Sequence, residues 1–494
     1  MSDNNYRPEG DPLGGSTQVP GTDDMAAVTP AGVTIVDGDE GDDERGFVPP
    51  KGRLGATLTL GISQSIDNSE GGVSKTFFPQ IMTAFGLGNT ELGLLNALGN
   101  FARMVFGPLW AILADKFGRK LILFVVTGLW GLWTIGAAFT QSWPMLLLIY
   151  GISLVGTVAS EPILNGLLGS LYRRSERGKA FGTVRSVSSA LGFVMTPLLG
   201  QFGNNPEGWR YAFITMGVLS LVSGLLILVF VKEPKTVAAG DSEELKADAG
   251  MFKWSDAAKL FKIPTLALIA PMLLLVTSLV LFGFMGQVWA KDMGYGVVNG
   301  SYLYTVFQIG ATISALLGGF VADAFVKKFG HKGRIMLFQI YAVLFGIIIA
   351  ITMYFYAQWN TLEALPANAK ELGILKTGDP SLAYYGLVFL MGLIFSIGFS
   401  GCVLPMVSSV TPKQLSATSF ALLFSLVQGG INTVYALLVG VIADAIGSLP
   451  RTILLGVSIP YFINAVYFFL FYKNYEKDVN LQAERTALIE QGKF

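Results

Sequence analysis

The chain has 494 residues, of which 52% are apolar and only 14% charged, about half the charged share of an ordinary soluble protein. Its 34 bases balance its 34 acids and no long basic run occurs, which argues against nucleic acid as a partner. A single cysteine, Cys402, and a single histidine, His331, exclude an intramolecular disulfide, a histidine proton relay and a histidine metal site. Any proton carrier must then be a carboxylate.

Residues 1–53 are rich in Gly, Pro, Asp and Glu and lack the basic start and apolar middle of a signal peptide. They read as a disordered acidic tail. From Leu54 onward, apolar runs of ~20 residues, long enough to cross a bilayer, recur to Tyr472. Spans one to six are 54–84, 90–114, 119–140, 144–170, 178–203 and 209–231. Spans seven to twelve are 264–290, 299–326, 334–357, 382–410, 416–446 and 450–473. The expected fold is an all-α membrane protein of twelve transmembrane helices in two six-helix halves, 54–231 and 264–475. A linker, 232–263, joins the halves. Its end, Phe252 to Lys262, is either a helix lying on the membrane surface or a plain connector. Residues 476–494 read as a terminal tail.

The loops on one side carry twelve bases, among them Lys116, Arg119, Lys120, Arg173, Arg174, Lys327, Lys328 and Lys332. The loops on the other side carry five, Arg210, Lys291, Lys370, Lys376 and Arg451. The excess predicts a multi-pass protein of the plasma or inner membrane with both termini cytoplasmic.

Charge inside the spans is scarce. Asp67 and Glu70 share a face of span one. Asn96, Asn100, Arg103 and Gly107 form one stripe on span two, Glu161 and Asn165 share a face of span four, and Arg185 lies in span five. By depth, Glu161 matches Arg185 and Asp67 matches Arg103, so two ion pairs are expected. A charge near the bilayer centre costs ~2.5–3.5 kcal/mol, so such groups mark either a pathway or a salt bridge that locks helices. The second half offers Gln287, Gln308, Gln428 and Asn432 as cavity-lining polar groups, with Trp289, Tyr302, Tyr304 and Tyr435, but no central charge.

Between spans two and three runs Gly107-Pro-Leu-Trp-Ala-Ile-Leu-Ala-Asp115-Lys-Phe-Gly118-Arg119-Lys120. It resembles the signature loop of the major facilitator superfamily, although Ala111 stands where that family usually has glycine. An echo follows span eight, where Gly319-Phe-Val-Ala-Asp323 precedes Lys327, Lys328, Gly330, Lys332 and Arg334. In span five, Gly192-Phe-Val-Met-Thr-Pro197 resembles the glycine-proline motif of exporters in that superfamily, with Thr196 in place of a glycine. Tyr150 stands where span four often has an arginine tied to proton transfer. Within the superfamily the chain is similar to the Spinster branch, through Asp67, Leu92-Gly-Leu-Leu95 and Gly440-Val-Ile-Ala-Asp444. That branch has Arg after its span-one Asp, where this chain has Asn68.

The resemblance implies a secondary transporter of a small organic or amphipathic solute, working as a monomer by alternating access and coupled to protons. Asp67, Glu70, Arg103, Glu161 and Arg185 are the candidates for coupling and solute contact, with Asn96, Asn100, Asn165, Gln287, Gln308, Gln428 and Asn432 as polar cavity contacts. Asp115, Gly118, Arg119, Lys120 and Asp323 would form the gating loops. No nucleotide loop, metal cluster or nucleophile–base set is visible, so no cofactor and no enzymatic activity are expected. A transporter-like receptor without turnover stays open as the alternative.

Overall fold

A computed structural model describes residues 52–232, 260–276, 278–357, 379–412 and 415–490. The acidic tail and most of the linker, including the start of its proposed surface helix, lie outside the described residues. Among the described residues all regular structure is helical. Nine helices are long and apolar enough to cross a membrane, and they coincide with spans two to four, six and eight to twelve.

Of the other three spans, one and five are set apart by composition and seven by its breaks. Span one is helical over Arg53–Thr76 and again over Phe78–Phe85. It carries Asp67, Glu70, Lys75 and a run of serines, so its mean hydropathy is low. Span five is one helix, Arg174–Gly200, also rich in Ser and Arg. Span seven is broken into short pieces between Pro264 and Asp292, with Gly283 in an interruption. Spans one and five trade apolar surface for polar groups where they face the interior between the halves, whereas span seven is apolar and is set apart by its breaks. Discontinuous helices near a repeat interface are a recurring feature of transporter sites.

The apolar core runs across the halves: Phe78, Met82, Leu92 and Ala97 of the first half cluster with the core of the second. Small residues set the closest approaches. In the first half, a Cβ on Gly128 would sit 2.7 Å from the Gly224 Cα, and one on Gly131 2.7 Å from the Gly217 carbonyl oxygen. The halves meet where span two packs on span eleven and span five on span eight. A Cβ on Gly93 would lie 2.6 Å from the Ala436 carbonyl oxygen, so the first of these seams admits no side chain there.

One end of the bundle carries the basic loops. At the opposite, far end, Asp444 of span eleven reaches across to the start of span two. Its Oδ1 accepts from the Asn89 N–H (2.8 Å) and Asn89 Nδ2 (3.0 Å), and its Oδ2 from the Thr90 N–H and Oγ1 (both 2.6 Å). A helix N-terminus favours a carboxylate, so this clasp draws on the span-two dipole as well as on four donors. Gln201 Nε2 donates to the Tyr302 hydroxyl at 2.9 Å, a second tie between the halves.

Beyond span twelve, Phe471–Glu490 is a further helix, taking in most of the expected terminal tail. Asp478 Oδ2 accepts from the Thr265 N–H at 2.9 Å and Oγ1 at 2.6 Å, capping the start of span seven. Tyr475 is fully buried, with its hydroxyl 3.2 Å from that of Ser409.

Candidate functional site

Two adjoining cavities lie between the halves. The larger, about 140 Å³, is lined by Ser65, Asn68, Ser69 and Gly72 of span one, Ser188, Ser189, Gly192 and Thr196 of span five, and Tyr304 and Gln308 of span eight. The smaller, about 50 Å³, continues past Thr76 to Lys75, Phe282, Gly286 and Tyr304. Water occupies ~30 Å³ per molecule in the liquid, so the space suits a small solute or one polar group of a larger one. The glycine–proline stretch of span five thus lines the cavity at Gly192 and Thr196. Of the polar candidates in the second half, Gln308 lines it.

The charged candidates separate into three environments. Glu70 is buried and turned away from the cavity into the first half. Its Oε1 accepts from the Thr134 hydroxyl and from Ser153 Oγ at 3.2 Å, and its Oε2 accepts from the Ser220 hydroxyl. The Tyr150 hydroxyl donates to the Glu70 and Gly71 carbonyl oxygens at 3.2 and 3.3 Å. One carboxylate therefore joins spans one, three, four and six. Tyr150, standing where a family arginine is often found, supports the same knot.

Asp67 is also buried. Its Oδ2 accepts from Thr127 Oγ1 at 3.3 Å, and its Oδ1 has no partner among the described residues. A buried carboxylate oxygen without a donor is costly when ionised.

Glu161 and the two arginines form the third environment. Arg103 Nη1 lies 3.6 Å from Glu161 Oε2, with the Arg103 side chain 64% exposed and that of Glu161 21%. The charge of Glu161 also acts on the half-buried Arg185. The expected Asp67–Arg103 pair is corrected here: Arg103 lies with Glu161, whereas Asp67 faces Thr127 of span three. Matching depth along the axis said nothing about which way each helix was turned. Asn165 sits half-buried one turn beyond Glu161.

The remaining polar candidates serve the seams between halves. Asn96 Nδ2 donates to the Leu92 and Gly283 carbonyl oxygens at 3.0 and 3.2 Å, and Asn100 Nδ2 to that of Asn432 at 3.4 Å. Gln287 Nε2 lies 3.3 Å from Met82 Sδ. Gln428 is buried with its Nε2 unpartnered among the described residues.

Lys75 was not among the sequence candidates. It is half-buried, lines the smaller cavity and feels the positive charge of Arg103. The available signal was a lone base in span one, eleven residues before the Gly86 turn and so ~16 Å deep. The acids earlier in the same span drew attention away from it.

The loop after span two turns on Gly118, whose φ of 96° is open to glycine and strained for other residues. Arg119 Nε lies 2.9 Å from Asp115 Oδ1, Arg119 Nη1 donates to the Gly166 carbonyl oxygen at 2.7 Å, and Lys120 Nζ to that of Leu228 at 2.8 Å. The loop thereby ties the basic-loop ends of spans two, four and six within the first half. In the second half, Arg334 lies 3.8 Å from Asp323.

A bundle of helices with two small-residue seams, a polar cavity between its halves and paired basic loops defines a membrane transporter of the two-halved type. Residues 60–433 match the family model of the Major Facilitator Superfamily, and the chain belongs to that family, one of transporters and not of enzymes. It is similar to the hexuronate transporter of Bacillus subtilis (strain 168), with 23% identity over 283 residues, 55% of this chain and 64% of that protein. It is also similar to the quinolone resistance protein NorA of Staphylococcus aureus (strain MSSA476), with 24% identity over 56% of this chain and 68% of NorA. The matched stretches thus span about two thirds of these relatives' length.

Among solved structures, a bacterial homologue of the human lysosomal transporter Spinster, inward-facing and unoccupied, aligns with a TM-score of 0.63. The identity is 16%, covering 88% of this chain and 99% of that one. A D-xylose–proton symporter aligns with a TM-score of 0.60 at 15% identity, covering 84% and 97%. At these identities the likeness is one of fold.

Proposed function

We propose that the protein is a secondary transporter that moves a small organic or amphipathic solute across a cell membrane by alternating access. The halves 54–231 and 264–475 would rock about the cavity they share. The observation that carries this reading is a polar cavity lined from both halves and closed at the far end by the Asp444 clasp. In this reading the opposite end, with its basic loops, is cytoplasmic; the form with the far end clasped would then be inward-facing, with both termini cytoplasmic. The names of the hexuronate transporter and of NorA support a small organic solute, and the Gly192–Pro197 stretch in the cavity wall supports export.

Protons are the coupling ion in this reading, and Glu161 is the residue through which they act. Protonating Glu161 releases Arg103 from its only ion pair among the described residues. That changes the charge a solute meets and so biases the two states differently. Asp67, with its unpartnered oxygen, is a second protonation site inside the first half. Glu70 acts as a structural pin. The signature loop, bonded here within one half, keeps the cytoplasmic ends of spans two, four and six moving together.

The test uses purified protein in liposomes with a trapped pH dye and an imposed solute gradient. Solute-dependent proton flux is expected in the wild type and its loss in Glu161→Gln, with solute exchange retained. Solute flux without proton flux in the wild type would remove the coupling ion from this reading. Binding without any flux, in protein shown to be folded, would favour a receptor.

A further inference from the structure

Lys75 is a cation without a counter-charge at the closed end of the cavity. Glu70 and Asp67, about one and two turns earlier on the same helix, are turned into the first half and held by hydroxyls. Glu161 is engaged by Arg103. No carboxylate among the described residues lies within ion-pair distance of Lys75. The positive charge of Arg103 also acts on it. An uncompensated charge deep in a membrane protein is costly, and here it borders on a space lined by Phe282, Gly286 and Tyr304 rather than on solvent.

We propose that Lys75 anchors the anionic group of the transported solute, which is an organic anion whose body rests against Phe282 and Tyr304. This rests on the reading of the cavity as the solute site. A lysine suits the task because its compact ammonium meets a carboxylate or a phosphate from one direction on a flexible stem. Arg103 is already engaged by Glu161, so Lys75 is the cation of the cavity lining that draws a negative solute inward. Phe282 and Tyr304 come from spans seven and eight and Lys75 from span one. An anion held there bridges both halves at the end that is closed, which gives the solute a differential hold on this state.

The experiment measures equilibrium binding to full-length protein in nanodiscs, using glucuronate, hexanoate and hexyl phosphate as anionic probes and glucose and hexylammonium as controls. At least one anion is expected to bind about tenfold or more tightly than its control. That preference is expected to vanish in Lys75→Met and return in Lys75→Arg. The carboxylates and the phosphate separate the two anion chemistries. Equal binding of anions and controls, or no binding of any of the three anions, overturns the proposal. So does an anion preference in Lys75→Met within twofold of the wild type. Lys75 has no bonded partner to orphan, and gel filtration with circular dichroism checks that the variant is folded. Anion binding without flux in liposomes would sink the transport reading and leave the anchor standing. Flux of hexylammonium or glucose that Lys75→Met leaves unchanged would sink the anchor and leave transport standing.

Discussion

At the scale of single residues, two acids three positions apart on one helix meet different fates. Glu70 has both carboxylate oxygens engaged by hydroxyls of three other spans, whereas Asp67 keeps one oxygen without a donor. Their spacing put them on one face, and that face turned out to point at spans three, four and six. Hydrogen bonds between membrane helices contribute ~0.6 kcal/mol on average and up to ~1.7. Glu70→Gln should therefore cost about 1–2 kcal/mol of stability and leave the proton-to-solute ratio unchanged. Thermal melting in detergent together with the liposome assay checks both halves of that statement. A lost proton coupling at full stability would return Glu70 to the pathway.

At the scale of elements, spans one and five are fastened at their basic-loop end by an ion pair outside the membrane. Arg53 Nη1 lies 2.6 Å and Nη2 3.0 Å from the Glu176 carboxylate. The Arg53 guanidinium also lies 5.0 Å from the Tyr172 ring centroid. The Tyr172 hydroxyl is 2.6 Å from Thr57 Oγ1. The hydrogen bond from Arg53, and then its charge, hold the Glu176 carboxyl below the ordinary value of 4.5. A depressed carboxylate contributes stability that is fully present above the ordinary value and is lost as pH falls through the folded one. The wild type should therefore lose melting temperature more steeply than Glu176→Gln does as pH falls below about 4.5. Parallel curves for the two proteins would show that the pair contributes nothing to the fold.

At the scale of the whole molecule, the balance between the two access states rests on how closely the far ends fit. Span eleven meets span two at Gly440, where an added Cβ would collide with the Asn89 backbone, and at the facing Gly93. Overpacking a close seam costs ~1–3 kcal/mol. Because the strain exists only while the far end is closed, Gly440→Val should shift the population towards the other state by about 5–150-fold. Distances between spin labels placed at the far ends of spans two and eleven would lengthen. Unchanged distances in a folded variant would mean that the seam does not open during the cycle. The Asp444 clasp lies a turn away and opens with it.

The class of this protein was legible in one dimension. Twelve apolar runs, basic loops on one side, a division into six and six and the Asp115–Lys120 turn follow from hydropathy and spacing. Those properties depend on the solvent the chain must enter, and not on how its helices are rotated. The two polar spans, one and five, were visible too, and both border the cavity, together with spans seven and eight. Rotation about each axis was decided only by packing. It sent Glu70 into the first half and gave Glu161 to Arg103. It placed Asn96 and Asn100 in a seam, and it left Lys75 alone at the closed end. Membrane helices are apolar on nearly every side, so periodicity carries little information about facing. Glycine contacts and hydroxyl partners from distant spans supply it, and those exist only in the folded bundle.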